Sequence, residues 1–548
     1  MIQVQSIDGL LLREMVLAGA ALLEKNREAV DALNVFPVPD GDTGTNMSLT
    51  MASATREINS KEFIRADEAA EALSKGALRG ARGNSGVITS QLYRGFAKAL
   101  KGVEKITPVD FAAALQRGAE TAYKAVMKPK EGTILTVART IAEDAVRQAQ
   151  LAPNDYDALF TVILQSGDAI LKRTPEMLPV LKQAGVVDAG GYGLLLIYTG
   201  YAAVLRGESV ESVAAEQEAA QAEQFVDDHE AIEEFKFAYH TAFALTHIKD
   251  TVQESDIDHF RRRLNRIGDM VQLEPAEGGY QVHVHTSDPG RVLQYGTEMG
   301  ELEEVDIKNL MDIQRAREEA EAAAHAQEPP KPYGMVSVSL GEGFSSILKD
   351  LQVDAIVEGG QTMNPSIEDL QKAIDSVNAE TIFVFPNNGN IVLAAQQAAE
   401  LSEKNVVVIP TKNVAMGIAA AVAFQPDVDG EENARRMEEA AQHVKTGTVT
   451  YAVRDSEYNG IHIKQGDIIG LHNGQISYSG DNVHEVAMKM MEDVVEADTE
   501  LITVYYGQDT TEEDAQALTE EIAANYPDCD VECHSGGQPL YYYLISVE

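Results

Sequence analysis

With 548 residues and a formal net charge of −43, the chain presents a surface that repels nucleic acid and anionic membranes, so neither is expected as a direct partner. Its length predicts several domains. Its two cysteines, Cys529 and Cys533, exclude a disulfide framework and favour a reducing, cytoplasmic compartment. No run approaches ~20 apolar residues, so no direct membrane insertion is expected, and residues 1–12 lack the pattern of a secretory signal.

Residues 1–207 are predicted to be helical throughout. Apolar residues recur at helical spacing from Leu10 to Leu33. Later stretches with the same period run over 46–58, 67–79, 84–101, 108–127, 133–150, 155–172 and 190–206. About eight helices with short connections predict an all-α bundle.

The first long connection carries the clearest chemical signal. From Asn34 to Met47 it reads Asn-Val-Phe-Pro-Val-Pro-Asp-Gly-Asp-Thr-Gly-Thr-Asn-Met. Asp40 and Asp42 are separated only by Gly41, and two carboxylates this close repel each other unless a cation lies between them. Hard oxygen ligands on a turn suit Mg²⁺, and the N–H groups that follow can meet a phosphate at the helix start. The alternative is an Asx-type turn that only caps the next helix.

Three further connections open helices with glycine, hydroxyl or amide residues. They cover Leu78–Gly86, Lys130–Leu135 and Val187–Gly193. Glycines let the backbone approach a ligand closely, and the N–H groups of a helix start can donate to phosphate. A Gly-rich junction can also be only a tight turn. Four such junctions in one helical domain suggest that alternate helix ends gather at one rim.

These motifs resemble the nucleotide-binding subunit of the dihydroxyacetone kinases, an antiparallel helical barrel in which acidic residues hold two Mg²⁺ ions against the phosphates of ATP. The resemblance assigns Asp40 and Asp42 to the metal-binding Asp-x-Asp and places Asn34 near a further upstream Asp, so these three are the expected Mg²⁺ ligands. Thr43 stands where that family often has His. Thr43, Gly44, Thr45 and Asn46, at the helix start, are expected to meet the ATP phosphates. The resemblance adds Gly83, Asn84, Ser85, Gly86, Thr133, Ile134, Asp188 and Gly190 as ATP contacts.

The rest of the chain is expected to form two further domains. Residues 208–234 predict an acidic linker, and 235–312 follow a β-α-β-β-α-β order that suggests a small α+β, ferredoxin-like domain. Residues 313–332 predict a linker helix ended by prolines. Residues 333–548 alternate strand and helix, which predicts a largely parallel α/β sheet. Its strand-end loops are rich in amide and hydroxyl side chains and are expected to meet at the carboxyl edge, where ligands bind, unless they are ordinary turns.

The middle domain carries a candidate histidine site. In Val282-His283-Val284-His285, the strand period puts both histidines on one face. His240 lies on another predicted strand, and three imidazoles can form an open Zn²⁺ site. Alternatively, the same side chains are merely exposed, bind phosphate or shuttle a proton.

Taken together, the Asp-Gly-Asp connection, the His-Val-His strand and the Gly-Gly-Gln-Thr-Met-Asn-Pro-Ser loop from Gly359 resemble the kinase subunit of bacterial fatty acid kinase along the whole chain. The C-terminal region is also distantly similar to the DegV fatty-acid-binding proteins. The resemblance implies an ATP-dependent kinase that phosphorylates the carboxylate of a fatty acid, giving acyl-phosphate for phospholipid synthesis. A separate fatty-acid-binding carrier protein presents the fatty acid and binds the C-terminal domain, and a homodimer is expected.

In that family the middle domain carries a Cys and two His residues, and His240 stands where the Cys would be. The expected catalytic residues are Asp40 and Asp42, with His283 and His285 in the acyl-acceptor step. Two other classes of function stay open. One is a kinase for a small polyol such as dihydroxyacetone, and the other is a nucleotide-binding regulatory scaffold without catalysis.

Overall fold

The fold is known from a computed structural model. It describes residues 4–34, 41–208, 239–249, 254–276, 279–309, 329–360, 363–452, 456–458 and 461–548. The described residues up to 208 and from 330 onwards form one compact unit, and those from 239 to 309 form a second. Asp40, nearly all of the predicted acidic linker and the predicted linker helix up to residue 328 lie outside these ranges.

Helices account for the first part of the chain, as the apolar periodicity predicted. In chain order they are α1 Gly9–Lys25, α2 Arg27–Leu33, α3 Thr43–Ile58, α4 Ala66–Arg79, α5 Gly83–Ala99, α6 Pro108–Ala125, α7 Ile134–Leu151, α8 Tyr156–Leu171, α9 Thr174–Met177, α10 Pro179–Ala184 and α11 Ala189–Arg206. Within the described residues, eight of them have at least 14 residues, which matches the expected number.

The long helices close on themselves because the last packs against the first. Gly19 of α1 faces Gly200 of α11, where an added Cβ would lie 2.6 Å from the Gly19 Cα. Only glycine at both positions permits this approach. A continuous core of buried side chains fills the interior, including Phe111, Phe160 and Tyr201. Among the described helices, none combines the length and apolar content needed to cross a bilayer.

The middle unit has the predicted ferredoxin-like arrangement. Its elements are β1 Tyr239–Thr246, α12 Glu254–Leu264, β2 Gly268–Ala276, β3 Gly279–Thr286, α13 Pro289–Met299 and β4 Glu301–Asn309. The sheet order is β2-β3-β1-β4, and every neighbouring pair is antiparallel. One face is covered by the helices, because Phe243, Val282 and Val284 are fully buried together with Phe260 of α12.

The C-terminal part begins with a parallel sheet. Its strands are β5 Lys331–Ser339, β6 Ala355–Glu358, β7 Ala379–Phe385 and β8 Asn405–Val408, in the order β6-β5-β7-β8. The accompanying helices are α14 Glu342–Asp350, α15 Ile367–Ser376, α16 Val392–Leu401, α17 Val414–Val422 and α18 Gly430–His443. Apolar runs in β5 and β7 are buried on both faces, as expected for parallel strands.

A separate six-stranded sheet completes the chain. Its elements are β9 Lys445–Tyr451, β12 Ile468–His472, β13 Gln475–Gly480, α19 Val483–Val494, β14 Leu501–Tyr506, α20 Glu512–Asn525, β15 Asp530–Ser535 and β16 Tyr541–Val547. Between β9 and β12, the short strands β10 Ser456–Tyr458 and β11 Ile461–Ile463 form a separate two-stranded hairpin. The order β13-β12-β9-β16-β14-β15 contains one parallel pair, β14 with β15, and the other pairs are antiparallel. The largely parallel arrangement therefore holds for the first sheet, and the second is mixed.

Candidate cation and phosphate site

Asp42, directly before α3, is held by amide side chains from separate parts of the chain. Asn34 Nδ2 donates to Asp42 Oδ1 at 3.3 Å, and Asn364 Nδ2 donates to Asp42 Oδ2 at 2.6 Å. Burial raises the pKa of Asp42, and hydrogen bonds from Asn46 and Asn364 oppose that rise. Its carboxylate is therefore oriented by neutral donors in a partly dehydrated place.

A second carboxylate, Asp31 in the last turn of α2, lies close by and was not predicted. Its oxygens accept from the backbone N–H of Thr45 at 3.0 Å and from the Thr45 hydroxyl at 2.8 Å. Burial raises the pKa of Asp31 to about 6, the hydrogen bonds from Thr45 lower it, and the charge of Asp42 raises it further. The resemblance placed an upstream acid near Asn34, and the helical turn of α2 brings Asp31, three positions earlier, to the start of α3 instead.

These oxygen atoms fit a hard cation. In the described residues, neither carboxylate forms an ion pair with a lysine or arginine, so their charge is not neutralised by the protein there. Asn364 Oδ1 is buried and has no hydrogen-bond partner among the same residues. Mg²⁺ takes carboxylate, amide and water oxygens. Groups of three His, Cys, Asp or Glu suited to a metal do not occur in the described part, so amide oxygens or Asp40 would have to complete the ligand set.

The Gly-rich connection, whose last residues form the first turn of α5, lies against the start of α3. Gly83 has a φ of 56°, and an added Cβ there would lie 2.6 Å from Asn46 Nδ2. A Cβ at Gly86 would lie 2.4 Å from Thr50 Oγ1. The structure thus brings two of the predicted phosphate-contacting segments together. Ser85 is half-buried. Asn84 is exposed, and its Nδ2 donates a hydrogen bond to Asn390 Oδ1 at 3.0 Å.

The other two predicted segments also meet each other. Asp188 caps α11 by accepting from the Gly191 N–H at 2.7 Å, and it accepts from the Ile134 N–H at the start of α7. Burial raises the pKa of Asp188 to about 6. Gly190 packs against the Ile134 side chain, since a Cβ added to Gly190 would lie 3.2 Å from the Ile134 Cβ. The Thr133 hydroxyl donates to the Lys130 carbonyl at 2.8 Å, which tightens the turn before α7.

A side-chain contact joins these two pairs of helix starts. The Met47 side chain of α3 packs against Gly193 in the first turns of α11, since a Cβ added to Gly193 would lie only 2.8 Å from the Met47 sulfur. The starts of α3, α5, α7 and α11 therefore lie at the same end of the helical barrel. Backbone N–H groups and positive helix ends concentrated in this way can bind phosphate.

The C-terminal part packs directly on the Gly-rich connection. We define the docking interface as the contacts of residues 81–91 with residues 364–397. Its apolar part consists of fully buried side chains, namely Ala81, Val87, Ile367, Leu370 and Ala394. Its polar contacts are Arg82 Nη1 to the Asn364 carbonyl at 2.9 Å, Arg82 to Asp369 at 3.5 Å, Asn84 to Asn390 at 3.0 Å and Gln91 to Gln397 at 2.7 Å. Sequence reasoning did not detect this interface, because its two sides lie hundreds of residues apart.

The histidine positions lie opposite one another on neighbouring strands. In the antiparallel register of β1 and β3, His240 pairs with His285 and Ala242 pairs with His283. The three histidine positions therefore share one face of the sheet. His283 is half-buried, and the side chains of His240 and His285 lie outside the described part of the structure. Zinc binding there stays a prediction.

The strand-end loops of the parallel sheet meet as expected and border a cavity of about 90 Å³. The Asn387 N–H donates to Thr411 Oγ1 at 3.0 Å, which joins the loops after β7 and β8. Two buried atoms on the cavity wall, Ser339 Oγ and Gln538 Oε1, have no hydrogen-bond partner among the described residues. A small ligand with both a donor and an acceptor would satisfy them.

Known protein families match along most of the chain. Residues 37–203 match the DAK2 domain, residues 236–317 match the FakA-like middle domain of fatty acid kinase, and residues 334–548 match the FakA-like C-terminal domain of fatty acid kinase. Protein YloV of Bacillus subtilis strain 168 is 43% identical over 553 residues, covering 100% of both chains. An uncharacterized protein of Staphylococcus saprophyticus is 39% identical over 554 residues, again covering 100% of both.

Among solved structures, the dihydroxyacetone kinase of C. freundii aligns with 13% identity. The alignment covers 40% of this chain and 49% of that chain, with a TM-score of 0.31. At that score the likeness supports no inference about activity.

Proposed function

We propose that this chain, which belongs to the FakA-like fatty acid kinase family and carries a DAK2 domain, is an ATP-dependent kinase that phosphorylates the carboxylate of a fatty acid. A separate fatty-acid-binding protein presents the acid, and the product is an acyl-phosphate for phospholipid synthesis. The observation that carries the proposal is the gathering of four helix starts at one end of the helical barrel, with the starts of α3 and α5 beside the half-buried carboxylates Asp42 and Asp31. A cytoplasmic homodimer is part of the same proposal.

In this proposal the helical domain binds the phosphate donor. Asp42 and Asn34, with Asp40, hold Mg²⁺, which neutralises charge on the ATP phosphates. The N–H groups at the starts of α3 and α5 donate to phosphate oxygens. The residues assigned to this contact through their N–H groups are Thr43, Gly83, Asn84 and Ser85. Gly44, Thr45, Asn46 and Gly86 border the phosphates, while the Thr45 N–H and hydroxyl donate to Asp31.

Two carboxylates of the site have a positioning role. Asp31 binds Thr45 through both the backbone and the hydroxyl, so it sets the first turn of α3. Asp188 binds the N–H groups of Gly191 and Ile134, so it fixes the starts of α11 and α7 relative to each other. Thr133, Ile134 and Gly190 then border the nucleotide through their backbone.

The acceptor chemistry explains why the site needs no general base. A carboxylate oxygen of the fatty acid attacks the γ-phosphorus, the bond from that phosphorus to the bridging oxygen breaks, and ADP leaves with the electron pair. A fatty acid with a solution pKa of about 4–5 is already ionised at neutral pH, so no proton has to be removed. Positioning and charge neutralisation are then the main requirements for transfer.

We assign the acceptor side to the other two domains. His283 and His285, on a strand of the middle domain, act in the acyl-acceptor step in this proposal. The C-terminal domain binds the fatty-acid carrier. This division leaves the helical domain as the donor site and makes substrate choice a property of the remainder of the chain.

Comparing acceptors in one ATP-consumption assay tests the proposal. We expect ATP consumption with a fatty acid plus its carrier protein and none with dihydroxyacetone. The match to the DAK2 domain favours a small-polyol kinase as the second candidate, and consumption with dihydroxyacetone alone would establish it. Absence of product with every acceptor, while nucleotide still binds, would instead favour a regulatory scaffold.

A further inference from the structure

Asn364 is a residue of the C-terminal domain that lies inside the cation and phosphate site. It lies in the loop between β6 and α15, yet its amide nitrogen is 2.6 Å from Asp42 Oδ2 and 3.4 Å from Asn46 Oδ1. Asp42 and Asn364 are 322 positions apart in the sequence. The site is therefore composite, because a domain outside the helical barrel contacts the carboxylate assigned to Mg²⁺.

The other half of the same amide has nothing to bind in the described residues. Asn364 is only 2% exposed, and its Oδ1 has no hydrogen-bond partner among them. Burying an amide oxygen without a partner costs about 1–3 kcal/mol. The side-chain nitrogen of Asn364 faces Asp42 Oδ2 and Asn46 Oδ1, so the atom that lacks a partner among the described residues is the side-chain oxygen Oδ1. A cation held by Asp42 is a ligand that such an oxygen would satisfy.

Contacts around Asn364 hold it in place. The Arg82 guanidinium donates to the backbone carbonyl of Asn364 at 2.9 Å and forms an ion pair with Asp369 at 3.5 Å. The Ile367 N–H donates to the Ala81 carbonyl at 3.2 Å, so the two segments run side by side next to the site. Because Ala81 and Ile367 are fully buried, this position is fixed by packing as well as by hydrogen bonds.

We propose that the C-terminal domain completes the Mg²⁺–ATP site of the helical domain, with Asn364 positioning Asp42 through its amide nitrogen and offering its amide oxygen to the cation. This inference rests on the proposed function, since it takes the donor to be Mg²⁺–ATP. Cation binding and seating of the C-terminal domain on residues 81–91 are then coupled. Movement of that domain changes the affinity of the donor site.

The full-length chain with Asn364→Ala tests the proposal, with binding of a fluorescent ATP analogue measured against Mg²⁺ concentration. We expect the Mg²⁺ concentration at half-saturation to rise at least about ten-fold. The matched control is Gln397→Ala, which removes an amide of the same interface that contacts Gln91 and neither Asp42 nor a residue assigned to phosphate binding. It should change that concentration by less than about two-fold.

Asn364→Asp distinguishes a cation ligand from a structural contact. A carboxylate at this position repels Asp42 without a cation and is a stronger ligand with one. Without Mg²⁺, we expect the Asn364→Asp variant to have a lower thermal unfolding midpoint than wild type. Adding Mg²⁺ should raise this midpoint more than it raises that of wild type. The Mg²⁺ concentration at half-saturation should return to the wild-type value or fall below it. A purely structural contact would be damaged equally by Ala and Asp at every Mg²⁺ concentration.

Each remaining outcome has one meaning. If Asn364→Ala leaves Mg²⁺ half-saturation unchanged while wild type binds Mg²⁺–ATP, this inference is overturned and the proposed function stands. Tighter Mg²⁺ binding in Asn364→Ala would also overturn it, because the contact would then block the site. Wild-type protein that binds no nucleotide with Mg²⁺ would overturn both.

Discussion

The donor site and the histidine strands differ in how many separate parts of the chain define them. Asp42 is contacted by Asn34 before it and by Asn364 from another domain, and the starts of α3 and α5 meet next to it. The histidine positions lie on two adjacent strands whose register alone places them together. A site assembled from distant segments depends on the whole compact unit, whereas a site on paired strands depends mainly on local pairing. Changes in the two regions should therefore have separable effects.

The largest effect is expected at Asp42. Asp42→Ala removes a proposed Mg²⁺ ligand, and we expect phosphate transfer to fall at least ~1000-fold, even at saturating Mg²⁺. The control is Asp168→Ala, an exposed carboxylate paired with Lys172 on α8, which should retain wild-type activity. Near-normal turnover of Asp42→Ala would remove this residue from the donor site.

Substitution of the histidines should affect the acceptor step alone. For His283→Ala and His285→Ala we expect acyl-phosphate formation to fall about 10- to 100-fold, with ATP affinity unchanged. His259→Ala, an exposed histidine on α12 of the same domain, is the control. Elemental analysis of the purified wild type and variants tests whether zinc is present. Loss of ATP binding in either strand variant would contradict the separation of the two regions.

A backbone change should weaken the donor site more modestly. Gly83→Ala forces a Cβ to 2.6 Å from the Asn46 amide at a φ of 56°, so we expect a stability loss of about 1–3 kcal/mol and several-fold weaker ATP binding. Gly102→Ala shares the positive φ, at 84°, but its Cβ meets nothing within 4 Å. It should lower the unfolding midpoint slightly and leave ATP affinity unchanged. Equal ATP affinities in the two variants would show that Gly83 is only a turn residue.

The smallest effect is a pH dependence of stability. The pKa of Asp188 rises from 3.8 to about 6 on folding, so the folded state binds more protons and its stability falls as pH rises through that window. Asp188→Asn keeps the cap and removes the ionisation, so above about pH 6 it should be more stable than wild type by at most ~3 kcal/mol. At about pH 4 the two should have similar unfolding midpoints, measured by calorimetry. A constant difference at every pH would contradict this origin.

Much of the fold follows from periodicity. The 3.6-residue repeat in residues 1–207 predicted eight long helices, and period two with two helical stretches predicted the ferredoxin-like order. The second C-terminal sheet was not separated from the first. Its edge strand β15, Asp530–Ser535, is largely exposed and polar, and only Val531 and Cys533 alternate toward the core, which is a short signal for a strand.

The candidate site was only partly predictable. The Asp-Gly-Asp spacing indicated Asp42 directly, because two carboxylates this close repel each other unless a cation lies between them. Asp31 was missed because its role depends on the turn of α2 and on Thr45, 14 positions later. Asn364 belongs to a loop that was noted as a strand-end loop, but nothing local to it indicates a contact with Asp42. Such a contact arises only when two domains pack together.

The most direct test of the central claim is chemical identification of the product. The chain is incubated with Mg²⁺, ATP and a fatty acid on its carrier protein, and hydroxylamine is added to trap an activated acyl group. We predict a fatty acyl hydroxamate in an amount equal to the ADP formed, and none with Asp42→Ala. ADP formed without any hydroxamate, or hydroxamate formed equally by Asp42→Ala, would contradict the account.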